Sequence, residues 1–214
     1  LSNWDAGMDM YIYGKLGNLI MTKEGINVLM TNLTGKVPPI LQRLDYIRFN
    51  GEAAGYLHDL TLTGLFHTGA GMVKTDVMMS IDEQSMSRTY SGSVASADLD
   101  LGKLLNQEKK FGKVDFNVEL KGFNYKNRYP ESYIKGIISS FEYSQYQYEN
   151  IMLDGVYKDG GFNGRLSMDD ANGSVQIDGN FNVAKTIPDF NLKASVKNLR
   201  PHDLHLSDKY ENAS

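Results

Sequence analysis

The sequence predicts a mainly β protein, an antiparallel sheet of sequential hairpins with one apolar face and a few short helices. Three observations predict it. Apolar and polar residues alternate strictly over several segments, which sends successive side chains to opposite faces of a strand. Glycine is enriched at 21 of 214 residues while proline stands at 5, so glycine marks the turns. Asp-Gly and Asn-Gly pairs, which tolerate the positive φ of tight hairpins, stand between alternating runs in Lys158-Asp159-Gly160-Gly161 and Asp170-Ala171-Asn172-Gly173.

Taken in chain order, Met8, Met10 and Ile12 open the first predicted strand, and Ile26, Val28 and Met30 the second. Leu60, Leu62 and Phe66, then Val73, Val77, Met79 and Ile81, give two more. The second half alternates more cleanly. Val114, Phe116, Val118 and Leu120 alternate with Asp115, Asn117, Glu119 and Lys121; Phe162, Leu166 and Met168 with Asn163, Arg165, Ser167 and Asp169. Val175, Ile177, Phe181 and Val183 alternate with Gln176, Asp178, Asn180 and Asn182, and Phe190, Leu192, Ala194 and Val196 with Asn191, Lys193, Ser195 and Lys197. Each such strand has one dry face and one wet face.

Short helices are predicted at Val37–Leu44, where proline suits a helix start, at Gly102–Gln107, and after Pro201 through His202–Leu206. The chain reads as one β-rich domain over 1–214, a fragment of a longer repetitive chain, with a weak seam near 106–113. Gly51, Gly92, Gly136 and Gly179 fall 41, 44 and 43 residues apart, a spacing that suggests stacked units sharing an apolar face.

Composition excludes several function classes. The 22 basic and 26 acidic residues leave a net charge of −4, with no basic block longer than Lys109-Lys110, so the electrostatic footprint of a nucleic-acid binder is missing. The absence of cysteine excludes disulfides, thiolate metal sites and cysteine nucleophiles. No stretch approaches 18 consecutive apolar residues, and Leu1-Ser2-Asn3-Trp4 has no signal-peptide pattern. The expectation is an excised or processed piece whose membrane anchor, if any, lies elsewhere.

No catalytic set emerges, and the expectation is a protein that is not an enzyme and holds no metal or cofactor. His202 and His205 are spaced for two ligands on one turn but lack a third and fourth; His58 and His67 flank one strand-like segment and read as solvated. Asp169-Asp170-Ala171-Asn172-Gly173 lacks the further acids of a calcium loop and reads as a hairpin turn. Asp98 and Asp100 read as the polar face of an alternating segment. Gly69-Ala70-Gly71 lacks the Lys-Ser or Lys-Thr of a phosphate loop. The tyrosines at 125, 129, 133, 143, 146 and 148 suit cross-strand pairing more than a sugar-stacking platform.

Leu57-His58-Asp59-Leu60-Thr61-Leu62-Thr63-Gly64, Thr68-Gly69-Ala70-Gly71 with Asp76, Tyr90-Ser91-Gly92-Ser93-Val94, and Asp98-Leu99-Asp100-Leu101-Gly102-Lys103-Leu104-Leu105 together resemble an interior segment of TamB-like proteins, in the AsmA-like group of Gram-negative envelope proteins. Tyr146–Gly155 and Phe162–Asp170 are similar to the same family, and the resemblance spans roughly Val37 to Leu206. It implies a curved, taco-like sheet with an apolar concave face. It further implies an inner-membrane-anchored periplasmic parent chain that serves outer-membrane biogenesis, as a lipid conduit or as a partner of an outer-membrane barrel assembly protein met through parts of the parent absent here. No catalytic residues carry over. What carries over is a face: Phe116, Val118, Leu120, Phe162, Leu166, Val175, Ile177, Phe181, Phe190, Leu192 and Val196 match the inward pattern.

Exposing an acyl chain of about sixteen methylenes costs on the order of 13 kcal/mol, so a carrier of phospholipid or another envelope lipid needs a long dry surface. Alternation does not distinguish an open groove from a closed sandwich core. A carbohydrate-binding or purely structural β-sandwich module is therefore the alternative.

Overall fold

The structure, a computed structural model, describes residues 11–34, 37, 39–56, 58–82, 87–124, 131–182 and 189–205. Its strands are β1 (Tyr11–Thr22), β2 (Tyr46–Tyr56), β3 (Asp59–Thr68), β4 (Gly71–Ile81), β5 (Arg88–Asp100), β6 (Phe111–Asn124), β7 (Glu131–Tyr143), β8 (Tyr146–Lys158), β9 (Gly161–Asp170), β10 (Gly173–Asn182) and β11 (Asp189–Lys197). All eleven lie in one antiparallel sheet whose spatial order is the chain order. Sequential hairpins produce this order because each strand finds its partner at the smallest loop-closure cost. The Asp159-Gly160 turn has φ of 51° and 76°, the doubly positive geometry that matches strand twist. At the β9–β10 turn, the Asn172 N–H donates to Asp170 Oδ1 at 2.9 Å, an Asx turn that accounts for this acidic stretch as a hairpin.

Two helices, α1 (Lys23–Thr34) and α2 (Leu101–Leu105), and a 3₁₀ turn at Leu41–Arg43 lie in the β1–β2 and β5–β6 connections. Both connections leave the sheet at the same end of the strands, here the lower rim. Ile26 of α1, Leu44, Ile47, Ala70, Leu99, Leu104 of α2 and Val114 form the buried core there. The Arg43 guanidinium donates to the Leu104 carbonyl, tying the 3₁₀ turn to α2.

Several expectations are corrected. Ile26, Val28 and Met30 belong to α1 and not to a strand. Ile26 is 2 % exposed and Val28 63 %, and Met30 packs one helical turn from Ile26, so the period is helical. Thr22 Oγ1 accepts from the Gly25 N–H at the helix start. Among the described residues of Val37–Leu44, only the 3₁₀ turn Leu41–Arg43 is helical. The expected helix at Gly102–Gln107 begins one residue earlier and ends at Leu105: Asp100 caps it by accepting from the Lys103 N–H at 2.9 Å, and Asn106 leaves it in the left-handed region, φ 56°. Pro201–His205 forms turns and no helix. Asp98 stands at a bulge with φ 58°, where the β5–β6 register shifts. Asp100 is a cap and Leu99 is core, so neither aspartate is merely the polar side of a regular strand. The seam near 106–113 falls on the return from α2 into β6, and β5 and β6 remain paired from Arg88↔Asn124 to Asp100↔Lys113.

Gly51, Gly92, Gly136 and Gly179 sit on β2, β5, β7 and β10, separated by three, two and three strands. Their even sequence spacing therefore marks no common structural unit. Met8, Met10, Pro38, Tyr125, Tyr129, Val183 and Leu206 lie outside the described residues.

Candidate functional site

The antiparallel pairings bring side chains from all eleven strands into rows on one face. One row runs Leu16, Gly51, Gly64, Thr75, Val94, Val118, Gly136, Leu153, Leu166, Ile177, Ala194. The row on one side of it runs Gly14, Ala53, Leu62, Val77, Gly92, Leu120, Ile134, Gly155, Gly164, Gly179, Leu192. On the other side runs Leu19, Phe49, Phe66, Val73, Ser96, Phe116, Ile138, Ile151, Met168, Val175, Val196. A fourth row, toward the upper rim, runs from Gly55 through Leu60, Met79, Tyr90, Gly122, Ser132, Tyr157, Phe162 and Phe181 to Phe190. These four rows contain no Asp, Glu, Lys, Arg or His. At about 4.8 Å per strand the face is roughly 48 Å long.

All eleven face residues expected from the sequence lie in these rows. Phe116, Val118, Leu120, Phe162, Leu166, Val175, Ile177 and Phe181 are half-buried, whereas Phe190, Leu192 and Val196 on the edge strand are exposed at 59 %, 43 % and 51 %. The sequence reading omitted the N-terminal half of the same face, including Phe49 and Val94. Strand β5 gave little signal because its inward residues are Tyr90, Gly92, Val94 and Ser96, with few large apolar side chains.

The curl is toward the apolar side. Small residues reveal it, since they cannot cover themselves: Ala53, Thr75 and Ser132 on the apolar face are buried, while Thr61, Thr63 and Thr89 on the opposite face are exposed. Among the described residues no second sheet covers the apolar face. Thr75 Oγ1 is buried there without a hydrogen-bond partner.

The opposite face carries the charges, in a row running Lys15, Glu52, Thr63, Asp76, Ser93, Glu119, Lys135, Asp154, Arg165, Asp178, Lys193. From Glu119 onward the sign alternates strand by strand. Lys15 Nζ lies 3.0 Å from Glu52, Lys135 Nζ 3.7 Å from Asp154, and Arg165 Nε 2.7 Å from Asp178. Hydrogen bonds from Gln176 and then Arg165 hold the Asp178 carboxyl below its ordinary range. A shallow depression of about 490 Å³ lies between these side chains, with Ile137 and Met152. Its charged groups are members of the cross-strand row, whose physical role is register.

The tyrosines are explained by packing. Tyr143 pairs with Tyr146 and Phe141 with Tyr148 across β7 and β8, with the Tyr146 and Tyr148 rings 4.7 Å apart, edge to face. Tyr148 is buried and its hydroxyl donates to the Leu204 carbonyl at 2.7 Å; burial raises its pKa. Tyr146 donates to Asp170 and accepts from Asn172. Tyr133 faces the charged side, donating to Asp154 at 2.8 Å.

The histidines are dispersed. His58 stacks on Tyr56, His67 lies on β3, His205 contacts the Ser144 carbonyl and His202 lies beside Asp203. Among the described residues, no three His, Asp or Glu converge as metal ligands, and no helix is long and apolar enough to cross a membrane. No known protein family, curated protein or solved structure shows a significant match to the chain.

Proposed function

We propose that this chain is a non-enzymatic lipid-binding scaffold whose curled apolar face holds acyl chains of phospholipid or another envelope lipid. The observation that carries this reading is the continuity of uncharged rows, three across eleven strands and a fourth across ten, with no second sheet over them among the described residues. Acyl chains gain about 0.8 kcal/mol per buried methylene and need no polar partner, which suits a surface without Asp, Glu, Lys, Arg or His. One bilayer leaflet is about 15 Å of hydrocarbon. A face of roughly 48 Å is therefore long enough for about three acyl chains end to end, the geometry of a conduit more than of a single-ligand pocket. The resemblance to TamB-like proteins supports placing that conduit in the periplasm, in a parent chain serving outer-membrane biogenesis between inner and outer membranes.

Phe181 and Asn180 supply the test. They are adjacent on β10 and point to opposite faces, Phe181 into the apolar row and Asn180 to the exposed side. A photo-crosslinking residue at 181 is expected to capture lipid from cells expressing the protein in the envelope, and one at 180 is not. Equal capture at both positions, or none at 181 together with lipid-free protein in native mass spectrometry, overturns the reading.

A further inference from the structure

The sheet contains a repeat that the glycine spacing does not reveal. By their pairings, β3 and β4 match β9 and β10 at an offset of 102 residues, Gly64↔Thr75 against Leu166↔Ile177, and β5 matches β11 at an offset of 100, Asp76↔Ser93 against Asp178↔Lys193. Asp76, paired with Ser93, takes the place that Asp178, paired with Lys193, takes in the second unit. The end of each unit is built alike. Asp98 and Asn198 adopt the left-handed region at φ 58° and 51°. The next residue, Leu99 or Leu199, lies so close to Gly71 or Gly173 that a Cβ there would fall 3.0 or 2.7 Å from its Cα. The N–H after that, of Asp100 or Arg200, donates to the Ala70 or Asn172 carbonyl at 2.7 or 2.9 Å. Leu104 and Leu204 are then both buried.

In the first unit this device carries the chain off the outer side of β5, and β6 pairs on that side. In the second unit the matching strand, β11, ends the sheet, with no strand on its outer side among the described residues. All nine of its residues are exposed. A strand edge in this state is a template for another strand.

We propose that the outer edge of β11 is a strand-acceptor site for an extended, antiparallel segment that is apolar on the trough side and carries an acidic residue opposite Lys193. The alternation Glu119, Lys135, Asp154, Arg165, Asp178, Lys193 calls for an acid next. The repeat gives the same answer independently. Glu119 of β6 pairs with Ser93, and Ser93 corresponds to Lys193, so a β6-like strand docked on β11 in the β6 register sets its glutamate against Lys193. The same register sets Phe116 against Val196 and Leu120 against Leu192, apolar on apolar. Copies of this chain stacked head to tail in the same row would instead set Lys15 of β1 against Lys193, a like-charge pair. The site extends the sheet and does not depend on what the trough carries.

The test is a fluorescein-labelled peptide with the sequence of Phe111–Asn124, titrated into the intact protein and followed by anisotropy. Saturable binding is expected, with hydrogen-exchange protection appearing on Asp189–Lys197. The Glu119→Lys peptide should bind at least about threefold more weakly. Lys193→Glu protein should reverse that preference. No binding, binding that protects strands other than β11, or affinities indifferent to both charge changes overturns the proposal. So does self-association of the protein through β11 without peptide.

Discussion

The hydroxyls of Tyr90 and Ser132 are hydrogen-bonded although they stand on β5 and β7, with β6 between them. Contact over an intervening strand is possible because the β6 residue in that row is Gly122. A Cβ there would lie 2.6 Å from the Tyr90 hydroxyl oxygen and press on the Glu131 carbonyl. Tyr90 thus lies flat over glycine, drawing three strands together at the upper rim.

Gly122→Ala is therefore expected to destabilise by about 1–3 kcal/mol, as overpacking does, although alanine normally suits a strand better than glycine. Tyr90→Phe should lose only about 0.5–1.5 kcal/mol, one hydrogen bond. Urea unfolding of both variants checks the order, and a neutral Gly122→Ala would contradict the close approach.

Ile26→Ala should cost about 2–5 kcal/mol, since the side chain is buried in the core cluster that includes Leu44 and Leu104, while Val28→Ala should change stability by less than about 0.5 kcal/mol. A strand with these residues on one face would make the two losses similar, so thermal or urea melts distinguish the arrangements.

Leu204 is fully buried, and its carbonyl receives the Tyr148 hydroxyl. Leu204→Ala is expected to cost about 2–5 kcal/mol and Tyr148→Phe about 1–2 kcal/mol. Hydrogen exchange in Tyr146–Tyr148 should quicken in Leu204→Ala if the terminal turn seals this end of the sheet; unchanged exchange would count against that role.

Asp178 has its folded-state pKa lowered by Gln176 and Arg165. Its contribution to stability is thus present above the unfolded carboxylate pKa and is lost as pH falls through the lower folded value. Asp178→Asn should lower the neutral-to-alkaline plateau and flatten the acid limb, so that the two curves converge at low pH. Parallel wild-type and variant curves below the ordinary carboxylate range would refute the coupling.

Phe181→Ala should cost under about 2 kcal/mol, because the ring is half-buried on a face that no second sheet covers among the described residues, so no closed cavity is left. A loss of about 3–5 kcal/mol, the value for a closed core, would show that the face is covered. Equilibrium unfolding gives the number.

Alternation along the chain, by itself, determined that Phe116, Phe162, Ile177 and Phe190 share one face, because the two-residue period of a strand is a local property that pairing with neighbours preserves. The Asp159-Gly160 turn was legible for the same reason, since positive φ is a property of those residues alone. The state of Ile26 and Met30 was not legible: a separation of four fits both periods, and only their packing in the lower-rim core cluster selects the helix. Likewise, nothing local in Asp98 or Asn198 marks a rim return. That role needs Gly71 and Gly173 on neighbouring strands, close enough to admit the following leucine. Whether the apolar face closes on a second sheet was decided by tertiary structure alone. Eleven successive strands each pair with the next, so every strand among the described residues is used in one sheet and none of them remains to cover it.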